Sequence, residues 1–124
     1  MAHASEHHHH AIDYIEIPVD DVAVAKEFYS TAFGWSFNDY GPDYAGIKSV
    51  AGAGEIGGLR KELATARKGT GVLVILFSKT LEESVRRVTA AGGRITTPPF
   101  DFPGGRRFHF MDPSGNELGV WAEK

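Results

Sequence analysis

The sequence predicts an α+β fold in which two βαβββ modules form one eight-stranded, curved, mixed sheet with the helices on its outer face. Two observations support this prediction. The order of one strand, one helix and three strands occurs twice, over residues 12–60 and 72–122. When the two halves of the sequence are aligned so that Gly34 matches Gly93, the glycines that end the two helices, the predicted strands of one half also coincide with those of the other. One module alone would have a bare sheet face, so we expect the two to pair.

In the first module, alternating apolar and polar side chains predict a strand over 12–19. Asp20 and Asp21 supply an N-cap, and apolar residues then recur at helical spacing from Val22 until Gly34 ends the helix. The rest of the module is predicted as strands over 35–37, 44–50 and 56–60, with turns over 38–43 and 51–55.

In the second module, Thr80 and Glu83 have the spacing of a capping box at the start of a helix. Pro98 and Pro99 are expected to break the strand that follows this helix. The remaining predicted features are a linker over 62–70, strands over 72–77 and 94–97, a turn over 102–105, and a final hairpin over 108–121 whose turn is 112–116.

Composition limits the classes of function. The 124-residue chain is long enough for one domain, which we place over 12–122. The absence of cysteine excludes disulfides, thiolate metal sites and cysteine nucleophiles. A net charge of −3 predicts neither a nucleic-acid nor an anionic-membrane partner, and no apolar run approaches the length of a membrane span. We therefore expect a cytoplasmic protein.

The tail over 1–11 carries five of the six histidines. It is either a purification tag or a native His-rich segment, and we expect it to be disordered. Such a tail binds divalent metals weakly whatever the domain does, so it carries no information about function.

Several motifs together resemble the vicinal oxygen chelate superfamily, which includes glyoxalase I, bleomycin-resistance proteins and extradiol dioxygenases. The stretches that carry the resemblance are 12–21, Ala25, Phe28-Tyr29, Phe33-Gly34-Trp35, Leu81-Glu82-Glu83, Ala91-Gly92-Gly93 and Asp112-Pro113-Ser114-Gly115-Asn116. The resemblance implies the duplicated fold described above and assembly as a homodimer. It specifies the chemistry poorly, because one fold supports many reactions.

Enzymes of this superfamily usually hold a divalent metal with His, Gln or Glu side chains from the first and last strands of each module. The resemblance places these four positions at Tyr14, Gly57, Leu73 and Gly119. None of the four is a usual metal ligand, and His109 is the one histidine outside the tail. We therefore expect no metal and no other cofactor, which argues against glyoxalase or dioxygenase activity.

The inner face of the curved sheet, here called the cup face, is predicted to bind a small molecule. Alternation along the strands assigns to it Tyr14, Glu16, Leu73, Ile75, Phe77, Arg107, His109, Met111 and Trp121, with Tyr44 at its rim. Trp35, which follows the helix-ending Gly34, is expected either at this rim or in the core or an interface. The expected ligand-binding residues are Tyr14, Tyr44, Leu73, Phe77, Arg107 and Trp121. Arg107 could clamp a carboxylate or phosphate, whereas Phe77 and Trp121 either stack on a planar ligand or fill the cup.

Glu16 and His109 are the candidate catalytic residues. If the first and last strands are neighbours, the carboxylate could orient the imidazole for general acid/base catalysis. Alternatively, Glu16 forms a structural ion pair with His109 or Arg107.

Three functions therefore remain open. The first is a metal-independent binding protein of the bleomycin-resistance type, which takes a small, partly apolar ligand. The second is a metal-free lyase or isomerase that uses Glu16 and His109 for proton transfer. The third is an accessory domain whose cup is closed by its own side chains.

Overall fold

The computed structural model describes residues 7–62 and 72–124, which form the elements in the predicted order. The first module contains β1 (Ile15–Val19), α1 (Val22–Phe33), β2 (Phe37–Asp39), β3 (Tyr44–Lys48) and β4 (Glu55–Lys61). The second contains β5 (Val74–Phe77), α2 (Leu81–Ala90), β6 (Arg94–Phe102), β7 (Gly105–Met111) and β8 (Glu117–Ala122). The predicted linker, apart from Glu62, and the first six residues of the tail lie outside the described residues.

Each module forms one four-stranded sheet, and the neighbour order is the same in both. The first sheet has the order β1-β4-β3-β2 and the second has the order β5-β8-β7-β6. In each, the first strand of the module pairs in parallel with the last, and the other pairs are antiparallel. This topology confirms the α+β fold and its two equivalent modules, and the eight strands lie in two four-stranded mixed sheets.

The two modules share one hydrophobic core. Helix α1 belongs to the first module, yet the rings of Phe28 and Phe33 lie 6.0 and 5.6 Å from the ring of Phe110 on β7. Phe28, Phe108 and Phe110 are almost completely buried, as is Leu59 on β4. Because these side chains come from both modules, neither module would bury its apolar face alone.

Helix α1 begins and ends where the sequence predicts. A side-chain oxygen of Asp21 accepts a hydrogen bond of 3.1 Å from the backbone N–H of Val24, which satisfies a free donor of the first turn. Gly34 ends the helix with φ at 74°, a left-handed conformation that glycine adopts without a steric penalty.

The predicted capping box of α2 is wrong. Thr80 occupies the N-cap position, but its side chain makes no capping hydrogen bond. Glu83 pairs with Arg86 at 2.9 Å, one turn further along the exposed side of the helix. The hydroxyl of Ser78 accepts the backbone N–H of Thr80 at 3.0 Å, so Ser78 performs the role predicted for Glu83.

Two strand boundaries differ from the prediction in ways that affect the cup face. Strand β6 does not stop at Pro98 and Pro99 but continues to Phe102, because shifts in its register with β7 accommodate both prolines on this edge strand. Glu55, predicted to lie in a turn, begins β4 opposite Lys48, and the register shifts there as well. The remaining boundaries move by three residues or fewer.

The turn between β7 and β8 is anchored by Asp112, which is 4% exposed. One carboxylate oxygen accepts the backbone N–H groups of Ser114 and Asn116, at 2.9 and 2.8 Å. The other accepts the Asn116 amide at 3.1 Å and the Tyr29 hydroxyl at 2.8 Å. Since Tyr29 lies on α1, this carboxylate links the second module to the first.

Two further hydrogen bonds join the same turn to β1. The side-chain amide of Asn116 donates to the backbone oxygen of Pro18 at 2.7 Å. The hydroxyl of Ser114 accepts the backbone N–H of Asp20 at 2.9 Å. The end of β1 is therefore fixed against the β7–β8 turn.

We predict that Tyr29→Phe lowers the free energy of unfolding by about 1–3 kcal/mol, because it removes one donor from a buried carboxylate. Burial raises the pKa of Tyr29 well above its ordinary value, and the nearby Asp112 carboxylate raises it further. The unfolded chain therefore releases the Tyr29 hydroxyl proton at about pH 10, while the folded protein keeps it. Stability consequently falls as the pH rises above that value. Urea unfolding measured at neutral and alkaline pH should show that the free energy of unfolding falls less with rising pH in the variant than in the wild type.

Ser30→Ala is the matched control, because it also removes one hydroxyl from α1. The Ser30 hydroxyl donates to the backbone oxygen of Trp35 in an exposed position, so we expect a change of less than about 0.5 kcal/mol. Equal stability of Tyr29→Phe and the wild type would contradict the role assigned to the Asp112 anchor.

Candidate functional site

The cup face of the second module is ordered in rows that cross its sheet. Residues opposite each other on paired strands share a face. The strand registers place Phe77, Trp121, Arg107 and Phe100 in one row across β5, β8, β7 and β6. The next row contains Ile75, Gly119, His109 and Thr97. The structure thus places Phe77, Arg107, His109 and Trp121 on one face, as predicted.

Aromatic rings surround Arg107. Its guanidinium carbon lies 5.3 Å from the ring centroid of Phe100 and 5.3 Å from that of Phe102. The ring of Trp121 lies 6.2 Å from Phe102 and 5.0 Å from Phe77, edge to face in both cases. We call Phe77, Phe100, Phe102 and Trp121 the aromatic group.

These rings do not satisfy the N–H donors of Arg107, which lie in the plane of its guanidinium. Its Nε atom is buried and has no hydrogen-bond partner, and none of the described acidic residues forms an ion pair with it. The neighbouring Arg106, on the other face of β7, donates to Glu82 at 2.5 Å and lies 3.6 Å from Asp101. The hydrogen bond between Arg106 and Glu82 raises the pKa of the guanidinium and lowers that of the carboxyl group.

His109 is held on the cup face by Glu117. Its Nδ1 atom lies 3.5 Å from the Glu117 carboxylate, which also accepts the hydroxyl of Thr96 at 3.1 Å. Gly119 leaves room for the imidazole, because a Cβ atom there would lie 3.2 Å from His109 Cδ2. The other ring nitrogen, Nε2, is buried and has no hydrogen-bond partner.

A cleft of about 650 Å³ separates β1 from the start of β5 and the β7–β8 turn. Its lining includes four of the predicted site residues, which are Tyr14, Glu16, Leu73 and His109. The other four, Tyr44, Phe77, Arg107 and Trp121, do not line it. The predicted site residues therefore divide between the cleft and its surroundings.

The cup face of the first module is filled by its own side chains around Glu55, which is 4% exposed. One oxygen of this carboxylate accepts the hydroxyl of Tyr40 at 2.6 Å and the amide of Asn38 at 2.9 Å. The other lies 3.3 Å from the hydroxyl of Tyr14. A buried carboxylate is stable only with such partners, and here they come from the module itself.

Two glycines make room for this arrangement. A Cβ atom at Gly46 would lie 2.1 Å from a carboxylate oxygen of Glu55, and one at Gly58 would lie 2.0 Å from the hydroxyl of Tyr44. The Tyr44 hydroxyl lies 2.6 Å from that of Tyr14, and it donates to a carboxylate oxygen that is 2.9 Å away on Glu16. The Glu55 carboxylate and the Tyr44 ring therefore occupy the space that side chains at positions 46 and 58 would otherwise fill.

The phenols of this module resist ionisation. Burial raises the pKa of Tyr14, and the Glu55 carboxylate raises it further, against the opposing effect of the hydrogen bond to Tyr44. Burial also raises the pKa of Tyr44, helped by its hydrogen bonds to Tyr14 and Glu16. For Tyr40, the hydrogen bond to Glu55 is the main cause of its raised pKa.

The predicted contact between Glu16 and His109 is not formed, although both residues line the cleft. Glu16 accepts the Tyr44 hydroxyl, and its other oxygen lies 3.3 Å from Nε of Arg60. The physical reason is that β1 pairs with β4, which supplies Arg60 next to Glu16, whereas His109 has Glu117 on the adjacent strand. The alternative ion pair between Glu16 and either His109 or Arg107 is likewise absent from the described residues.

Of the positions considered for Trp35, the structure confirms the core and not the rim. Its ring stacks on Tyr29 at 4.6 Å and packs against the hydrophobic core on the helix side of the sheet. Trp35 directly follows the residue that ends α1, so it lies against that helix before β2 begins.

Four residues of the cup face escaped the sequence prediction. Phe100 and Phe102 were missed because the two prolines were expected to end their strand. Glu55 was missed because a register shift, which has no clear sequence signal, brings it to this face. Glu117 could have been found, because it precedes Gly119 by two residues and alternation places both on one face.

The residues at the superfamily's metal positions do not fit a divalent ion. Register places Gly58, not the predicted Gly57, on the same face as Glu16. The four positions then hold Tyr14, Gly58, Leu73 and Gly119, which offer one phenol and no imidazole or carboxylate. Across 7–62 and 72–124, no three His, Asp or Glu side chains are grouped closely enough to hold a metal ion.

A family model described as the Glyoxalase/Bleomycin resistance protein/Dioxygenase superfamily matches residues 11–120. The chain belongs to this superfamily. The match covers both modules and confirms the resemblance to the vicinal oxygen chelate proteins.

The curated relatives that the chain matches are longer than the chain. It is 27% identical over 127 residues to the putative glyoxylase CFP32 of Mycobacterium bovis, covering 98% of the chain and 49% of the relative. It is 27% identical over 117 residues to the anthracycline biosynthesis protein DnrV of Streptomyces peucetius, covering 89% of the chain and 40% of the relative. The chain thus spans half or less of these proteins.

Solved structures from the superfamily have the same fold. A glyoxalase/bleomycin resistance protein/dioxygenase family enzyme from Burkholderia phytofirmans matches with a TM-score of 0.76 at 17% identity, covering 91% of this chain and 98% of that one. TnmS3, an antibiotic binding protein from Streptomyces sp. CB03234, matches with a TM-score of 0.67 at 21% identity, covering 98% and 100%. Neither helix of the described residues is long and apolar enough to cross a membrane.

We predict that Glu55→Gln shifts phenol ionisation to lower pH. The carboxylate disfavours a phenolate beside it and raises the pKa of Tyr40 and Tyr14, so its removal should lower both pKa values. Ultraviolet absorbance of phenolate, followed against pH, measures the shift. Glu123→Gln, at an exposed position, is the control, and superimposable curves for the two variants would contradict the network.

Proposed function

We propose that this domain binds a small, partly apolar molecule in the cleft between its two modules and on the adjoining cup face of the second module, without a metal ion. One observation carries the proposal. The first module satisfies its cup face with its own side chains, whereas the second leaves Nε of Arg107 and Nε2 of His109 buried and without partners.

Unsatisfied buried polar atoms are costly to keep. Each costs about 1–3 kcal/mol, so two on one face represent a substantial loss of stability unless something else supplies their partners. A bound ligand with polar groups would do so. A cleft of about 650 Å³ lies beside His109, and ligand sites commonly occupy about 300–1,000 Å³.

The lining of the cleft indicates the character of the ligand. Leu73, Val74 and Leu118 give it apolar walls, while Glu16 and His109 give it polar edges. This combination suits a molecule with an apolar body and a few hydrogen-bonding groups. TnmS3, whose structure shares the fold, is described as an antibiotic binding protein, which is consistent with a ligand of this kind.

Ligand binding accounts for the site better than acid/base catalysis by Glu16 and His109. Glu16 is committed to Tyr44 and Arg60, so it does not orient the imidazole. In our proposal Tyr44 positions Tyr14 and Glu16 at the edge of the cleft rather than contacting the ligand.

The proposal also includes a homodimer, as the family resemblance implies. Ile56 on β4 is 50% exposed. A second copy or a ligand would cover apolar surface of this kind.

The test is the binding of anilinonaphthalenesulfonate, an aromatic dye with one sulfonate group whose fluorescence rises in apolar sites. We expect the folded protein to bind it saturably at one site, and Leu73→Trp to weaken binding at least about tenfold because the indole occupies the cleft. EDTA should change nothing, since the proposal requires no metal.

Val50→Trp is the matched control, because Val50 is 89% exposed and does not line the cleft. It should bind the dye as the wild type does. Equal binding by the two tryptophan variants would reject the cleft as the site, and loss of binding in EDTA would reject metal independence.

A further inference from the structure

Arg107 has an environment that its packing alone does not explain. Phe100 and Phe102 both lie within 5.3 Å of its guanidinium carbon, so the cation is attracted to aromatic rings. A cation–π contact uses the faces of the rings and of the guanidinium. The N–H groups point outward in the guanidinium plane and need acceptors of their own.

The described residues do not supply an acceptor for the buried N–H group of Arg107. Nε of Arg107 is buried without a hydrogen-bond partner, and no described carboxylate lies within ion-pairing distance of the side chain. Arg106, its neighbour in sequence, pairs with both Glu82 and Asp101. Among the described residues, the arginine on the outer face is therefore neutralised and the one on the cup face is not.

An apolar surface made of two aromatic rings, inclined to each other by 62°, lies beside this cation. Trp121 is directly opposite Arg107 on β8, and Phe77 is directly opposite Trp121 on β5. Two strand spacings, about 10 Å, separate the backbones of Phe77 and Arg107, so a two-ring aromatic acid is of comparable length. Phe77 is 52% exposed, so this surface is open to a ligand.

We propose that Arg107 is an oxyanion subsite, which takes the carboxylate or phosphate of a ligand whose planar aromatic part packs beside Phe77 and Trp121. The fork of guanidinium donors matches both anions in geometry. This inference rests on the proposed function and narrows its ligand class from partly apolar molecules to planar aromatic anions.

Calorimetric titration with naphthoate, naphthyl phosphate and neutral naphthamide tests the subsite. We expect naphthoate to bind more tightly than naphthamide and to weaken as ionic strength rises, whereas naphthamide binding should not respond to salt. A preference for naphthyl phosphate over naphthoate would assign the natural anion as a phosphate ester, and the reverse would assign it as a carboxylate.

Arg107→Gln should weaken naphthoate binding by about tenfold to a hundredfold and leave naphthamide binding unchanged, since charge-assisted hydrogen bonds are lost. The affinity of Arg107→Lys for naphthoate should lie between those of the wild type and Arg107→Gln, because lysine keeps the charge without the planar fork. Arg106→Gln is the control and should match the wild type, as its side chain lies on the outer face.

The outcomes separate this inference from the proposed function. If naphthoate binds Arg107→Gln as tightly as the wild type, or fails to bind the wild type, the oxyanion subsite is overturned even when Leu73→Trp abolishes dye binding. Salt-independent binding of naphthoate to the wild type would overturn it as well, without reliance on the folding of any variant.

Discussion

The buried carboxylate of Asp112 is the contact on which the site depends. It accepts four hydrogen bonds, three from its own turn and one from Tyr29 on α1. The amide of Asn116, which Asp112 orients, then bonds to the end of β1. A buried charge is tolerated only when its hydrogen bonds are complete, so the turn, the helix and the strand have little freedom to move separately.

This anchor also sets the shape of the cleft. The β7–β8 turn supplies Gly115 and Asn116 to its lining, and β1 supplies Ile17 and Pro18. These are the segments that the Asp112 network joins. The distance between the two modules at the cleft is therefore fixed by hydrogen bonds and not by apolar packing alone.

The two modules share a topology but differ on their cup faces. In the first, glycines at 46 and 58 admit the Glu55 carboxylate and the Tyr44 ring, and the module satisfies itself. In the second, Gly119 admits the imidazole of His109, which still has one ring nitrogen without a partner. The fold is common to both halves, whereas the capacity to bind is a property of particular side chains on one of them.

The sequence predicts most of what is local. Helix α1 follows from its cap, its apolar spacing and Gly34, and the alternation along β7 correctly separates Phe108 and Phe110 from Arg107 and His109. Each of these signals lies within one element, and nothing elsewhere in the chain competes with it.

What depended on pairing between distant segments was not predictable from the sequence. The partner of Glu16 depends on which strand lies beside β1, and the choice between Gly57 and Gly58 depends on register. The sequence predicts that Pro98 and Pro99 end a strand, yet register shifts on an edge strand accommodate both. Periodicity in one segment carries no information about these relations.

On the proposed function, the second module's cup face is open to a ligand and the first module's is closed. Backbone amide chemical shifts, followed by NMR as anilinonaphthalenesulfonate is added, test it most directly. We expect the largest chemical-shift changes on β5, β7, β8 and the β7–β8 turn, and almost none at the amides near Glu55 and Tyr40. Changes centred on Glu55 and Tyr40 would contradict it.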